Sequence, residues 1–125
     1  MKILVVEDDR NFGRVLTGAL QESGFDIDLA VDGVDAVLKY IDGRYDFVVL
    51  DIKMPRLDSI NALRIIKKLD PDVPAMTYSG NAGSGEMAES VKAGAIRCLT
   101  KPFEISQLTA DIARYGSRRA GRIPA

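Results

Sequence analysis

The sequence contains no histidine and no tryptophan, and a single cysteine among its 125 residues. Without histidine there is no serine–histidine–acid triad and no histidine-built metal centre. The lone Cys98 has no partner for an intramolecular disulfide, which fits a reducing compartment. Long apolar runs are missing as well. After Met1-Lys2 only Ile3 to Val6 precede Glu7, too few for the apolar stretch of a signal peptide or a membrane span. A cytoplasmic location, with no membrane contact, is the expectation these absences leave. Neither sign of charge is in excess, with 17 basic and 18 acidic side chains. Whole-molecule charge therefore selects no class of partner, and nothing points to direct nucleic-acid binding by this segment.

What is present reads as one globular domain. A hydrophobic share of 46% with 28% charged residues is outside the disordered and fibrous ranges, and 125 residues can bury a core without staples. Short, β-branched apolar runs recur about every twenty residues: Ile3 to Val6, Ile27 to Val31, Phe47 to Leu50, Val73 to Tyr78 and Ile96 to Leu99. They read as strands.

Helical spacing fills the intervals. Phe12, Val15, Leu16, Ala19 and Leu20 form one apolar stripe, closed by Gly24 as a C-terminal cap. Val34, Val37, Leu38 and Ile41 form a second, ending near Gly43; Ile60, Leu63, Ile66 and Leu69 a third, stopped by Asp70-Pro71; Leu108, Ile112 and Tyr115 the last. All four stripes are expected to face the core. A fourth helix, over residues 83–93, offers only Met87, Ala88 and Val91 and should sit at the low-stability end of the fold. Five strands alternating with five helices predict an α/β fold, a parallel sheet with helices on both faces. Ligands of such sheets bind outside the C-terminal strand ends.

Polar residues gather at those ends: Glu7-Asp8-Asp9 after the first strand, Asp51 after the third, Thr77-Tyr78-Ser79 at the fourth and Thr100-Lys101-Pro102 after the fifth. In a parallel sheet all four clusters share one edge. Converging carboxylates repel unless something compensates, and oxygen ligands in a partly open site suit Mg²⁺ or Mn²⁺. A lysine and a hydroxyl at the same rim complete a site able to hold a phosphoryl group. Singly, each residue has a blander reading as a solvated loop acid, a turn residue or a surface lysine. Asp9 reads as the cap of the first helix and Asp58 as that of the third. Arg114, Arg118, Arg119 and Arg122 read as a solvated helix end and linker.

The motifs VVEDD, VVLDIKMP, YSG and LTKPF, in this order, with 43 residues from Asp8 to Asp51 and 22 from Ser79 to Lys101, resemble the receiver domain of two-component response regulators. The resemblance runs from Lys2 to about Tyr115. It implies a doubly wound (βα)5 fold, flavodoxin-like and CheY-like, with strand order 2-1-3-4-5. On that basis residues 1–116 are the domain, and 117–125 a C-terminal tail or the start of a linker.

The resemblance also implies roles. Asp51 is the phosphoacceptor, attacking phosphorus to form an acyl phosphate. Asp8 and Asp51 are metal ligands with the backbone carbonyl of Lys53, and Glu7 is a further acid on the metal. Lys101 pairs first with Asp51 and then with a phosphoryl oxygen. Ser79 is the switch hydroxyl, preferred over Thr77 on the same strand face. Pro102 is the proline that often follows this lysine through a cis bond. The implied donor is the phosphohistidine of a sensor histidine kinase. The implied output lies on the face of helix 4, strand 5 and helix 5, read by an effector domain, an output protein or a second copy of the chain. The chain is a single-domain regulator or the front of a longer protein.

Two positions depart from the family's pattern. Cys98 occupies the second switch position, commonly an aromatic, and a small thiol cannot swing as tyrosine does; coupling is expected through Ser79, Gly80 and the fourth helix instead. Ser59 replaces a frequent glycine. Three rival readings fit the residues less well. A haloacid-dehalogenase-type phosphatase would need a second acid where Lys53 stands. A flavin domain would need a phosphate loop where Glu7-Asp8-Asp9 would repel an anion. A pseudo-receiver that never takes phosphate is countered by the intact set Glu7, Asp8, Asp51, Ser79 and Lys101.

Overall fold

The computed structural model describes residues 1–53, 59–80 and 84–120. Five strands, β1 (Lys2–Val6), β2 (Asp26–Ala30), β3 (Phe47–Asp51), β4 (Ala75–Ser79) and β5 (Cys98–Thr100), pair in parallel in the order β2-β1-β3-β4-β5. Between and after them lie α1 (Arg10–Glu22), α2 (Gly33–Asp42), α3 (Ser59–Leu69), α4 (Ser84–Lys92) and α5 (Ile105–Asp111). The helical backbone runs on past α5 through a π-helical widening at Ile112–Gly116 and a last turn, α6 (Ser117–Ala120). The stretch read from sequence as tail therefore begins as helix. Asp58 and Arg122 lie outside the described residues, as does the side chain of Arg119.

Strand alternation sorts the core onto two faces. Leu4, Val6, Val48, Leu50 and Ala75 face one way and pack with Ala36, Tyr40, Ala62, Leu63 and Ile66 of α2 and α3. Ile3, Val5, Phe47, Val49, Met76 and Tyr78 face the other, against Leu16 and Leu20 of α1 and Leu108 of α5. Every residue of β3 is buried, as the central strand of a sheet covered on both sides requires. Each fully buried Leu, Ile or Val contributes about 1.5–3 kcal/mol relative to exposure.

Helix ends follow local chemistry. Asp9 caps α1, its Oδ1 accepting the N–H groups of Asn11 at 3.0 Å and Phe12 at 3.2 Å. Gly24, at φ +92°, ends the same helix with its N–H on the carbonyl of Gln21. Within α1, Gly13 lets the helix close on β2 and on Glu7, since a Cβ there would meet Leu29 Cδ2 at 3.2 Å and Glu7 Cγ at 3.6 Å.

Several stripe residues do not face the core. On α2, Val34, Leu38 and Ile41 are about half exposed or more. The inward row is Ala36, Val37 and Tyr40, because Ala36 permits close approach and the Tyr40 hydroxyl finds the buried Asp70 carboxylate at 2.7 Å. Of the stripe read from periodicity, Val37 alone packs against the core. Val15 on α1 (67% exposed) and Leu69 on α3 are likewise outward. On α4, Val91 and Ala88 are exposed, and the buried position is Ser90. Its hydroxyl lies 2.9 Å from Thr77 Oγ1 and 2.8 Å from the Met87 carbonyl. Val73 and Ile96, read as strand residues, fall just before β4 and β5. Among the described residues no helix is long and apolar enough to cross a membrane.

Candidate functional site

The alternation that buries Ile3 and Val5, Phe47 and Val49, and Leu99 on one face continues to Asp51, the last residue of β3, and to Glu7 and Lys101 just past β1 and β5. Three chemically different side chains therefore arrive on the same side of the sheet edge. Glu7 is 1% exposed and Asp51 5%, while neighbouring Asp8 is open to solvent. One carboxylate oxygen from each of the three lies within 4.8 Å of the others. Lys101 Nζ stands 3.7 Å from Glu7 Oε1 and 3.8 Å from Asp51 Oδ2.

Each buried acid is held by further donors. Glu7 Oε2 accepts the Asp9 N–H at 3.0 Å, and Oε1 accepts the Tyr78 hydroxyl at 2.7 Å. Asp51 Oδ1 accepts the Lys53 N–H at 2.9 Å, while its backbone carbonyl accepts the Ser59 hydroxyl. These contacts do not fully compensate burial. Desolvation pushes the Glu7 carboxyl above the ordinary glutamate range, and Asp51 beside it pushes the same way against the Tyr78, Asp9 and Lys101 contributions. Asp51 is raised chiefly by its own burial, opposed by the Lys53 N–H and the Lys101 charge. The Tyr78 phenol is raised far beyond its usual value, first by burial and then by Glu7.

Such a set fits a small divalent cation. Three oxygen-bearing acids with one protein ammonium leave negative charge in a low-dielectric rim, the condition under which a hard cation is favoured.

Ser79 ends β4, buried, opposite Thr100 of β5, and the Lys101 backbone N–H donates to the Ser79 carbonyl at 2.9 Å. The Lys101–Pro102 peptide bond is cis. Thr77, the rival hydroxyl, is engaged with Ser90. Gly80 leaves room, since a Cβ there would meet Lys101 Cδ at 3.6 Å, ordinary contact. Cys98 is half-buried on β5 beside Thr77. Lys53 turns its side chain outward to Glu86 of α4, at 3.4 Å.

Two aromatic residues of the site were missed in the sequence. Phe12 lies beneath the lysine, with Nζ 4.0 Å from its ring centroid. Tyr78 was read only as part of a strand end. The signal available was its parity, opposite to Thr77 and Ser79, which aims it at the same side as Glu7.

Comparison with known proteins agrees with this geometry. The sequence model of the response regulator receiver domain matches residues 3–113. The transcriptional regulatory protein PrrA of Mycobacterium tuberculosis is 35% identical over 118 residues, covering 94% of this chain and 51% of that protein. The chain thus spans about half the length of such curated relatives. The receiver domain of the Francisella response regulator 1452 superposes with a TM-score of 0.85 at 32% identity, covering 94% of this chain and 97% of that one. The receiver domain of the sensor histidine kinase PA1611 from Pseudomonas aeruginosa, with a magnesium ion coordinated in its active site cleft, gives 0.84 at 30% identity, covering 93% and 97%. With its fold, strand order and acidic rim in place, this chain belongs to the response regulator receiver domain family, the signalling domains of two-component systems.

Proposed function

We propose that this chain is a phosphorylation switch in which Asp51 accepts a phosphoryl group from the phosphohistidine of a partner kinase. The observation that carries the reading is the approach of Glu7, Asp8 and Asp51 within 4.8 Å, with Lys101 Nζ under 4 Å from two of them. An Asp51 carboxylate oxygen attacks phosphorus in line with the P–N bond. The P–N electron pair returns to the donor imidazole, and an acyl phosphate forms.

Asp8 and Asp51, with the Lys53 carbonyl and Glu7, are the groups to hold Mg²⁺ or Mn²⁺, which when bound supplies charge neutralisation for the phosphoryl oxygens. Lys101 neutralises another oxygen, and its ammonium has the reach to turn from the acids to the incoming group. Ser79, on the strand paired with that lysine, supplies the hydroxyl that closes on the phosphoryl oxygens. The added charge then acts on α4 and its neighbours β5 and α5, the surface offered to an effector domain, an output protein or a second copy. Thr77 and Ser90 join β4 to α4 two residues before the switch hydroxyl, which supports that route. The longer relatives support an effector domain in the whole protein. The chain is a signalling domain that promotes its own phosphorylation and dephosphorylation, not a free-standing enzyme.

Incubation with acetyl phosphate or phosphoramidate and Mg²⁺ is expected to add one alkali-labile phosphoryl group, about 80 Da, to Asp51. Chelation should suppress the adduct and Asp51→Ala abolish it. Labelling elsewhere, or none with metal present, overturns the proposal in favour of an interaction module without phosphate.

A further inference from the structure

We infer that Tyr78 is a positioning residue for the metal-binding acids, its hydroxyl fixing Glu7 while its backbone fixes the start of the loop after Asp51. The inference rests on the phosphoryl-switch reading and deepens it.

Tyr78 is 1% exposed and lies in the apolar layer between β4 and α1. Packing alone would be met by phenylalanine, since its ring contacts are with Phe12 at 5.6 Å and Phe103 at 5.5 Å between centroids. The hydroxyl is an added polar atom in a dry place and demands an acceptor. The acceptor it takes is Glu7 Oε1, at 2.7 Å. Glu7 has three rotatable side-chain bonds and takes a second donor at Oε2. With both oxygens engaged, the carboxylate is held in one orientation before any cation arrives. The Tyr78 carbonyl meanwhile accepts the Ile52 N–H at 3.0 Å, one residue beyond Asp51. Lys101 Nζ lies 5.1 Å over the Tyr78 ring. One side chain thus touches the buried acid and the lysine, and its backbone the phosphoacceptor strand. Outer partners that orient ligating carboxylates typically change metal affinity by tenfold or more when removed.

A cation beside Glu7 draws charge from Oε1 and weakens the hydrogen bond it accepts. The phenol reports that change as a blue shift in near-ultraviolet absorption. Tyr40 and Tyr45 bond elsewhere, to Asp70 and Asp28, and the Tyr115 ring lies against Arg114 and Arg118, so the signal belongs to Tyr78.

The test is titration with Mg²⁺ of the unchanged chain and of Tyr78→Phe, followed by calorimetry and by tyrosine difference spectroscopy. Expected are a dissociation constant raised about tenfold in Tyr78→Phe and a blue-shifted difference spectrum present only in the unchanged chain. Affinity within twofold in the variant, or a spectrum that survives in it, overturns the inference. Mg²⁺ heat without any tyrosine spectrum in the unchanged chain also overturns it, whether or not the variant folds, and leaves the switch reading standing. No Mg²⁺ heat in the unchanged chain overturns both.

Discussion

The backbone N–H of Lys101 donates to the carbonyl of Ser79 at 2.9 Å, so the sheet itself holds the backbones of these two residues side by side. Strand pairing fixes their backbones, while the reach of the Lys101 ammonium is set by its own side-chain rotamers.

Lys101→Met keeps the unbranched stem of the side chain, one atom shorter, and removes its charge. The rate of Asp51 labelling by acetyl phosphate is expected to fall on the order of a hundredfold, measured by mass spectrometry at fixed Mg²⁺. Labelling at the unchanged rate would remove Lys101 from the chemistry.

Metal-free stability should depend on pH with a definite sign. Burial raises the Glu7 and Asp51 carboxyls above their ordinary values. The folded chain therefore holds protons that the unfolded chain releases. The contribution of these two groups to stability is greatest below the unfolded carboxylate value, near pH 4, and declines as pH climbs from there through the raised values. Asp51→Asn removes one of the two charges, so its melting temperature at neutral pH in chelator should exceed that of the unchanged chain by roughly 3–6 °C. Added Mg²⁺ should raise the unchanged chain and leave the variant nearly where it was. Thermal scans across pH check both statements.

Asp9 holds two backbone donors at the start of α1, directly after the acids. Asp9→Ala should cost about 1 kcal/mol, seen as a lower denaturation midpoint in urea. Mg²⁺ affinity should change little, because Glu7 is held through the Asp9 backbone N–H and not its side chain.

Thr77→Val leaves Ser90 with the Met87 carbonyl and removes the link from β4 to α4. A loss of about 1 kcal/mol should appear as roughly fivefold faster hydrogen exchange across α4. Exchange in β1 and β3 should be unaffected.

The sheet was legible in the sequence because its strands are short, β-branched runs, and parallel pairing then forced the strand-end polar residues to one rim. Glu7, Asp8, Asp51 and Lys101 come together for that reason alone. The facing of α2 was not legible: Val34, Leu38 and Ile41 are as periodic as Ala36, Val37 and Tyr40. The choice between the rows depends on a hydrogen bond to Asp70, 30 residues further along. Tyr78 was hidden in the same way. Parity placed its ring on the α1 side of the sheet, but the partner of its hydroxyl is 71 residues away. Local pattern carries burial well and carries long-range polar pairing poorly.

The polar anchoring of α4 has a thermodynamic corollary. A helix whose buried position is Ser90, with Val91 and Ala88 already in water, uncovers scarcely any oily surface when it shifts. Its displacement should thus carry almost no heat-capacity change, leaving the enthalpy of the shift nearly the same in a cold cell as in a warm one.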